Sequence, residues 1–264
     1  FTRALGQLAD ERLEVRLGAI YGLEQVATEA PAQRGPIIEI LCAFVRDRAG
    51  FDAERPPAPR LATDVQAALT VLGRRAPGAE PRLDLRRTDL RAAELNGVRL
   101  ERANLFEAHL EDASLQGAHF EGADLRGAYL SRADLVEANL KGADLREAHL
   151  EATYLVEAHL EGADLGGAFM AGAYLGGAHL EGADLGGAHL DGAYLYKAHL
   201  EGASLHAARV VSAIGIHRDE RERINRTAAA ETAAPPPPRQ LRRPQPPAPA
   251  ADEPVPLHRR RDRA

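Results

Sequence analysis

From residue 83 to residue 210 the chain never leaves a five-residue period. Every position divisible by five from 85 to 210 is apolar; of these 26 positions, 23 are Leu, the exceptions being Phe120, Met170 and Val210. Two residues earlier, 22 of 26 positions are Ala, the exceptions being Leu83, Thr88, Val98 and Thr153. Neither ordinary element accepts this spacing. On an α-helix five residues advance about 500°, or about 140° net, so the leucines would wind around the cylinder. On a flat strand an odd spacing sends successive leucines to opposite faces. The chain must therefore turn once per repeat to keep every Leu inside. The 16 glycines between 83 and 210 suit turning and oppose a helix.

The residues between the leucines give the number of sides. Asp recurs at Asp124, Asp144, Asp164 and Asp184, Tyr at Tyr154, Tyr174 and Tyr194, and His at His159, His179 and His199. Each series has a period of 20, so four units complete one coil and matching side chains stack at the strand spacing of about 4.8 Å. The 128 residues make a little over six coils, about 30 Å long at that spacing. Leu fills the core, Ala lets the backbones close beside it, and stacking of neighbours stabilises the solenoid.

The unbroken Ala-[Asp/Asn/His/Tyr]-Leu-x-x pattern, as in Ala163-Asp-Leu-Gly-Gly167, resembles the pentapeptide repeat family. The resemblance covers about half the chain and implies a mainly β fold, a right-handed quadrilateral parallel β-helix. The segment Val15-Arg-Leu-Gly-Ala-Ile-Tyr-Gly-Leu-Glu24 resembles a module that precedes such repeats in actinobacterial proteins, where transmembrane segments often come first. Some members of the family are DNA mimics that bind DNA gyrase and protect it from inhibitors.

The flanks have different physics. Residues 1–75 read as a helical module, an α-helical cap on the solenoid. Apolar residues at helical spacing mark a helix over Leu13–Ala27, with Asp10 as its cap and Pro31 beyond its end. A second helix starts at about Pro36, a good first-turn residue, and runs through Val45. After the loop Arg55-Pro-Pro-Ala-Pro-Arg60, a third spans Leu61–Leu72. Residues 76–82 read as a linker and 83–216 as the β-helix. Residues 217–264 read as a Pro/Arg-rich disordered tail holding ten of the 17 prolines. Within it His217–Arg226 suits a short charged helix, and Pro235–Pro247 is a spacer whose composition would also suit an SH3-like groove. The single cysteine, Cys42, excludes a disulfide framework and reads as a small buried hydrophobe. No apolar run approaches the roughly 18 residues of a membrane span. The chain opens on Phe1, which leaves room for a lost upstream anchor; the expected location is cytoplasmic, or membrane-tethered if such a segment has been lost.

A solenoid's interior is committed to packing, so function falls to the outward positions. No phosphate loop, metal-ligand motif or nucleophile–base pairing is readable, so an enzyme is not expected. The histidine series offers a row rather than a convergent cage, with no second shell in view, so neither a metal nor a cofactor is expected. The aspartate series reads as a like-charge stack, which Asp144→Ala should relieve. Residues 147–205 hold nine acids against Lys197, a net charge of −8. Duplex DNA carries a similar density, about one charge per 1.7 Å. The sign disfavours direct nucleic-acid binding by the repeat. The expected function is a non-catalytic scaffold or protein–protein interaction module with an unidentified protein partner. The alternative is a DNA-mimic modulator of a DNA-binding enzyme such as DNA gyrase. The candidate partner-binding surface is the acidic one of Glu161, Asp164, Glu181, Asp184, Asp191 and Glu201, and the stacked strip of Tyr154, Tyr174 and Tyr194 offers another contact surface.

Overall fold

The computed structural model describes residues 2–52, 54, 60–74 and 81–215. The expectations for residues 217–264, including the short helix and the disordered tail, lie outside the described residues.

Among the described residues four helices form the N-terminal module: α1 (Thr2–Leu8), α2 (Leu13–Glu29), α3 (Arg34–Arg48) and α4 (Thr63–Gly73). The helix α1 was not apparent from the apolar spacing, because its seven residues bury a single side chain, Leu8. Asp10 does not cap α2. Arg12 occupies the cap position, and the Asp10 carboxylate accepts from the backbone and guanidinium of Arg12 instead. Pro31 opens a 3-10 turn over Pro31–Gln33, and α3 starts at Arg34, so Pro36 lies inside its first turn. Ile20 and Leu23 of α2, Leu41 and Val45 of α3, and Val65 and Leu69 of α4 are all buried, and so is Cys42. One ion cluster is buried with them. Asp64, 1% exposed, accepts from Arg16 Nε at 2.7 Å and pairs with Arg48 at 3.1 Å. Arg16 also donates to the carbonyls of Asp10 and Glu11. This tie links α2, α3 and α4, and a buried carboxylate persists only when paired in this way.

Residues 83–215 form the β-helix solenoid. Each side contributes one bridging residue, paired in parallel with the residue 20 positions on, from Asp84↔Asn104 to Tyr194↔Ile214. The four series of bridges are the four sides of the coil. The bonding repeats with them: Leu125 N–H donates to Asp144 O at 2.7 Å and Asp124 N–H to Ala103 O at 2.9 Å. Between sides the chain makes a β-turn closed by the Leu carbonyl and the Ala amide, as in Ala128 N–H to Leu125 O at 3.0 Å. The turn's third residue has positive φ at every corner, and it is Gly at only half of them. The leucines from Leu85 to Leu195 are at most 3% exposed. Thr88 and Thr153 stand where Ala is the rule and are fully buried. Each hydroxyl donates to a backbone carbonyl, of Leu85 and Leu130 respectively, which removes the cost of burying it.

The helical module closes the first coil. A β-helix begins with amides that have no preceding coil to bond, an edge that invites pairing with other chains. Three of the four first-coil bridge residues find acceptors in the module. Asp89 N–H donates to Ala49 O at 2.6 Å, Arg99 N–H to Gly73 O at 3.3 Å, and Glu94 N–H to Gln66 Oε1 at 3.0 Å. Gly50 forms an antiparallel bridge with Thr88, and the Phe51 ring lies 3.5 Å from that of His109. No helix among the described residues is long and apolar enough to cross a membrane.

Candidate interaction surface on the outward rows

The bridge positions carry four rows of outward side chains, each set by its residue number modulo 20. The tyrosine row holds Tyr154, Tyr174 and Tyr194, with ring centroids 5.0 and 4.9 Å apart and planes within 6° of parallel. It ends on Ile214, which is exposed, as is the adjacent Tyr196. The histidine row holds His159, His179 and His199, at centroid spacings of 4.9 and 4.7 Å. A third row alternates ring types: Phe51, His109, Tyr129, His149, Phe169 and His189. Only His149 and His189 of this row stood out in the sequence. The ring at every twentieth position from 109 to 189 was a readable signal, but the capping role of Phe51, far away in sequence, was not.

Most histidines have a carboxylate two residues later, and the fold turns that spacing into contact. Nδ1 meets a glutamate oxygen in the pairs His109–Glu111, His119–Glu121, His149–Glu151, His159–Glu161 and His179–Glu181, at 3.1 to 3.4 Å. A charged carboxylate only accepts, so Nδ1 is the protonated nitrogen of the neutral ring. The His is the last bridge before a corner and the Glu is the corner's first residue, so the Glu side chain reaches back across the intervening Leu.

The aspartate row is not a stack of bare like charges. Arg126 and Arg146, two residues after Asp124 and Asp144, interleave with it. Arg126 Nε lies 2.8 Å from Asp124 and 3.6 Å from Asp144. Arg146 lies 2.6 Å from Asp144 and 3.3 Å from Asp164. Asp144 is therefore an ion-pair hub, which corrects the expectation that its removal relieves repulsion. The Arg126 guanidinium, partly opposed by burial, holds the Asp124 carboxyl below its ordinary range. The arginines then stop. Gly166 and Gly186 take their places and donate backbone N–H to Asp164 and Asp184. Among the described residues Asp184 makes no ion pair.

The acidic surface expected from the sequence divides. Glu161, Glu181 and Glu201 run along one corner, and Asp164 and Asp184 lie on the side that follows it. Asp191 lies on the opposite corner, half a coil away, where Arg209 pairs with it at 3.1 Å. The 20-residue period separates it, since 191 is ten residues from both 181 and 201. Glu161 pairs with Lys141 at 3.1 Å. Burial pushes its carboxyl up, but its own backbone amide, Lys141 and His159 together bring it below the ordinary value. Glu181 is also lowered, first by its own backbone amide and then, against burial, by His179.

A known family matches the repeat. The Pentapeptide repeats family matches in 8 copies, with matched segments 84–122, 103–142, 113–151, 153–185 and 173–210. No curated protein matches the chain. Among solved structures, HetL, a pentapeptide repeat protein involved in heterocyst differentiation regulation from the cyanobacterium Nostoc, is 30% identical over 50% of this chain and 80% of its own, with a TM-score of 0.27. A second Nostoc pentapeptide repeat protein is 35% identical over 34% of this chain and 77% of its own, with a TM-score of 0.32. QnrB1, a plasmid-mediated fluoroquinolone resistance protein, is 22% identical over 45% of this chain and 63% of its own, with a TM-score of 0.32. Through these matched repeats, the chain belongs to the pentapeptide repeat family.

Proposed function

We propose that the protein is a non-catalytic scaffold, a right-handed quadrilateral β-helix whose outward rows dock a protein partner. The observation that carries this reading is the exposed aromatic strip. Tyr154, Tyr194 and Tyr196 are 45%, 41% and 66% exposed, although the leucine core is complete without them. Tyrosine supplies large contact area with few rotatable bonds and is enriched at interfaces. The backbone beneath the strip is fixed on both sides by coil-to-coil hydrogen bonds, so the rings are ordered before a partner arrives and little entropy is lost on docking. Affinity capture from the source organism with the wild type and with a Tyr154→Ser/Tyr174→Ser/Tyr194→Ser variant tests it. A partner bound saturably by the wild type and lost by the variant, at an unchanged melting temperature, supports the scaffold. A captured set identical for both proteins refutes the aromatic docking face.

The corner of Glu161, Glu181 and Glu201 with Asp164 and Asp184 favours a second reading, the DNA-mimic modulator of an enzyme such as DNA gyrase. Here the acidic surface binds the partner, and association weakens steeply with salt. Glu161→Gln, Asp164→Asn, Glu181→Gln and Asp184→Asn together remove four charges while keeping shape. In supercoiling assays a mimic inhibits as wild type and loses most inhibition as the quadruple variant. No inhibition by excess wild-type protein excludes this reading.

A further inference from the structure

We propose that the contiguous histidine rungs form a binding site for a zinc-class divalent ion, centred on His179. A nitrogen of His179, an oxygen of Glu181 and a nitrogen of His199 lie within 4.8 Å of one another, and His159, Glu161 and His179 repeat the same arrangement one coil earlier. Zinc bonds of about 2.0–2.1 Å at tetrahedral angles hold neighbouring ligand atoms about 3.3 Å apart. The His179 Nδ1 and Glu181 Oε1 atoms are 3.3 Å apart, so this pair already spans two corners of a metal shell. An ion placed there takes the position of the shared proton, and the neutral ring then carries its proton on Nε2. The third ligand comes from the neighbouring rung. The His199 ring lies parallel to that of His179, 4.7 Å away, and is exposed. Its ring nitrogen already lies within 4.8 Å of the other two ligand atoms; turning the ring about its own side-chain bonds brings that nitrogen toward tetrahedral ligand spacing, and water completes the shell.

The surroundings favour a cation. Glu161, Glu181 and Glu201 recur one above another along the corner, and like charges at strand spacing repel until something positive separates them. Lys141 does this for Glu161, whereas Glu181 meets the His179 ring, which carries a charge only when protonated. Glu181 Oε2 is buried and accepts no hydrogen bond from another residue. A straight row of histidines has no convergence of its own; the fold supplies it by folding Glu181 back onto His179 Nδ1.

The molecule contains its own control. His149 has the same contact, Nδ1 to Glu151 at 3.2 Å, but its stacked neighbours are Tyr129 and Phe169. It therefore has one imidazole and one carboxylate where His179 has two imidazoles and a carboxylate. Zinc chloride titrated into the full chain by calorimetry should show one saturable equivalent. His179→Gln and Glu181→Gln should each weaken it by about tenfold or more, as loss of a zinc ligand or its orienting partner does, and His149→Gln should leave it unchanged. Melting curves of each variant without metal confirm that the fold is intact. The proposal is overturned if the wild type binds no zinc saturably, if His179→Gln and Glu181→Gln both bind like the wild type, or if His149→Gln loses as much as His179→Gln.

Discussion

Leu145 and Asp144 are adjacent in the chain and occupy opposite environments. Leu145 is fully buried, so Leu145→Asp forces a carboxylate into the leucine column at a cost of several kcal/mol; we expect a collapse of the thermal transition. Asp144→Ala is a milder change than its burial in a charged row suggests, yet it is not a gain. It removes contacts to Arg126 and Arg146, which are half exposed and screened by solvent, so the expected loss is small. A rise in melting temperature for Asp144→Ala would contradict the ion-pair hub. Acid provides a second test. Asp10, beside Arg12, is held down to about 2, and Asp124, Glu161 and Glu181 are also lowered from ordinary values of 3.8 and 4.5. A carboxyl depressed in the folded state stabilises above its unfolded value and loses that contribution as pH falls through its folded value. Melting temperature should therefore drop below about pH 4.5 and fall faster toward pH 2. The Arg126→Ala variant should show a shallower acid slope. The residue scale was the most legible in the sequence, because Leu at every fifth place has no other use. The Asp–Arg interleaving was readable in Asp124-Leu-Arg126 and Asp144-Leu-Arg146, but only the coil period shows that each Arg also reaches the next Asp.

At the scale of the corner the sequence is a less reliable guide. The glycines pointed to turning, yet Arg87, Ala92, Glu147, Ala152 and eight other non-Gly residues besides Lys197 hold the same positive φ. An L-residue in that region costs roughly 1–2 kcal/mol, so these corners are held by the bonds around them: Ala152 N–H, for example, donates to Ala171 O at 3.0 Å. Ala152→Gly should therefore stabilise by about 1 kcal/mol, less some chain entropy. The reverse change at Gly172, where an added Cβ meets nothing within 4 Å, should cost about 1 kcal/mol through backbone conformation alone. Chemical denaturation of the two variants gives both signs, and equal, negligible shifts would mean the corners are set by something other than local conformational preference. A five-residue period demands a turn but does not require Gly in it, because a long ladder of neighbouring coils can hold an unfavourable residue in place. The helices show the same limit. The periodicities of α2, α3 and α4 were evident, whereas α1 lacks a buried stripe and the Asp10 side chain is used on Arg12.

For the whole molecule, the junction between helices and solenoid decides how the chain behaves in solution. Ala49, Gln66 and Gly73 occupy the acceptor positions that an earlier coil would have filled, and nothing in the repeat pattern signals them, since they come from three separate places in an unrelated segment. Removing residues 1–82 bares those amides on a regular, flat edge. The truncated protein should self-associate in light scattering, while the full chain does so far less. Phe51→Ala keeps the bridge and removes the ring that tops the mixed aromatic row; it should lower stability by about 1 kcal/mol beyond lost burial. The two periods built into the solenoid also set rules for how such a chain can change length. Copying or deleting five residues leaves the leucine column in phase, so the interior tolerates it. Everything downstream on the outside is then displaced by a quarter turn: after a five-residue insertion the tyrosines would continue the histidine row and the histidines the aspartate row, and after a deletion the histidines would continue the tyrosine row. Only a step of 20 residues preserves both inside and outside. The core is thus indifferent to every step of five residues, whereas three of every four such steps scramble the surface, and an outer row that runs unbroken over three coils, as the tyrosines and histidines do, dates from after the last such slip or has been kept against it.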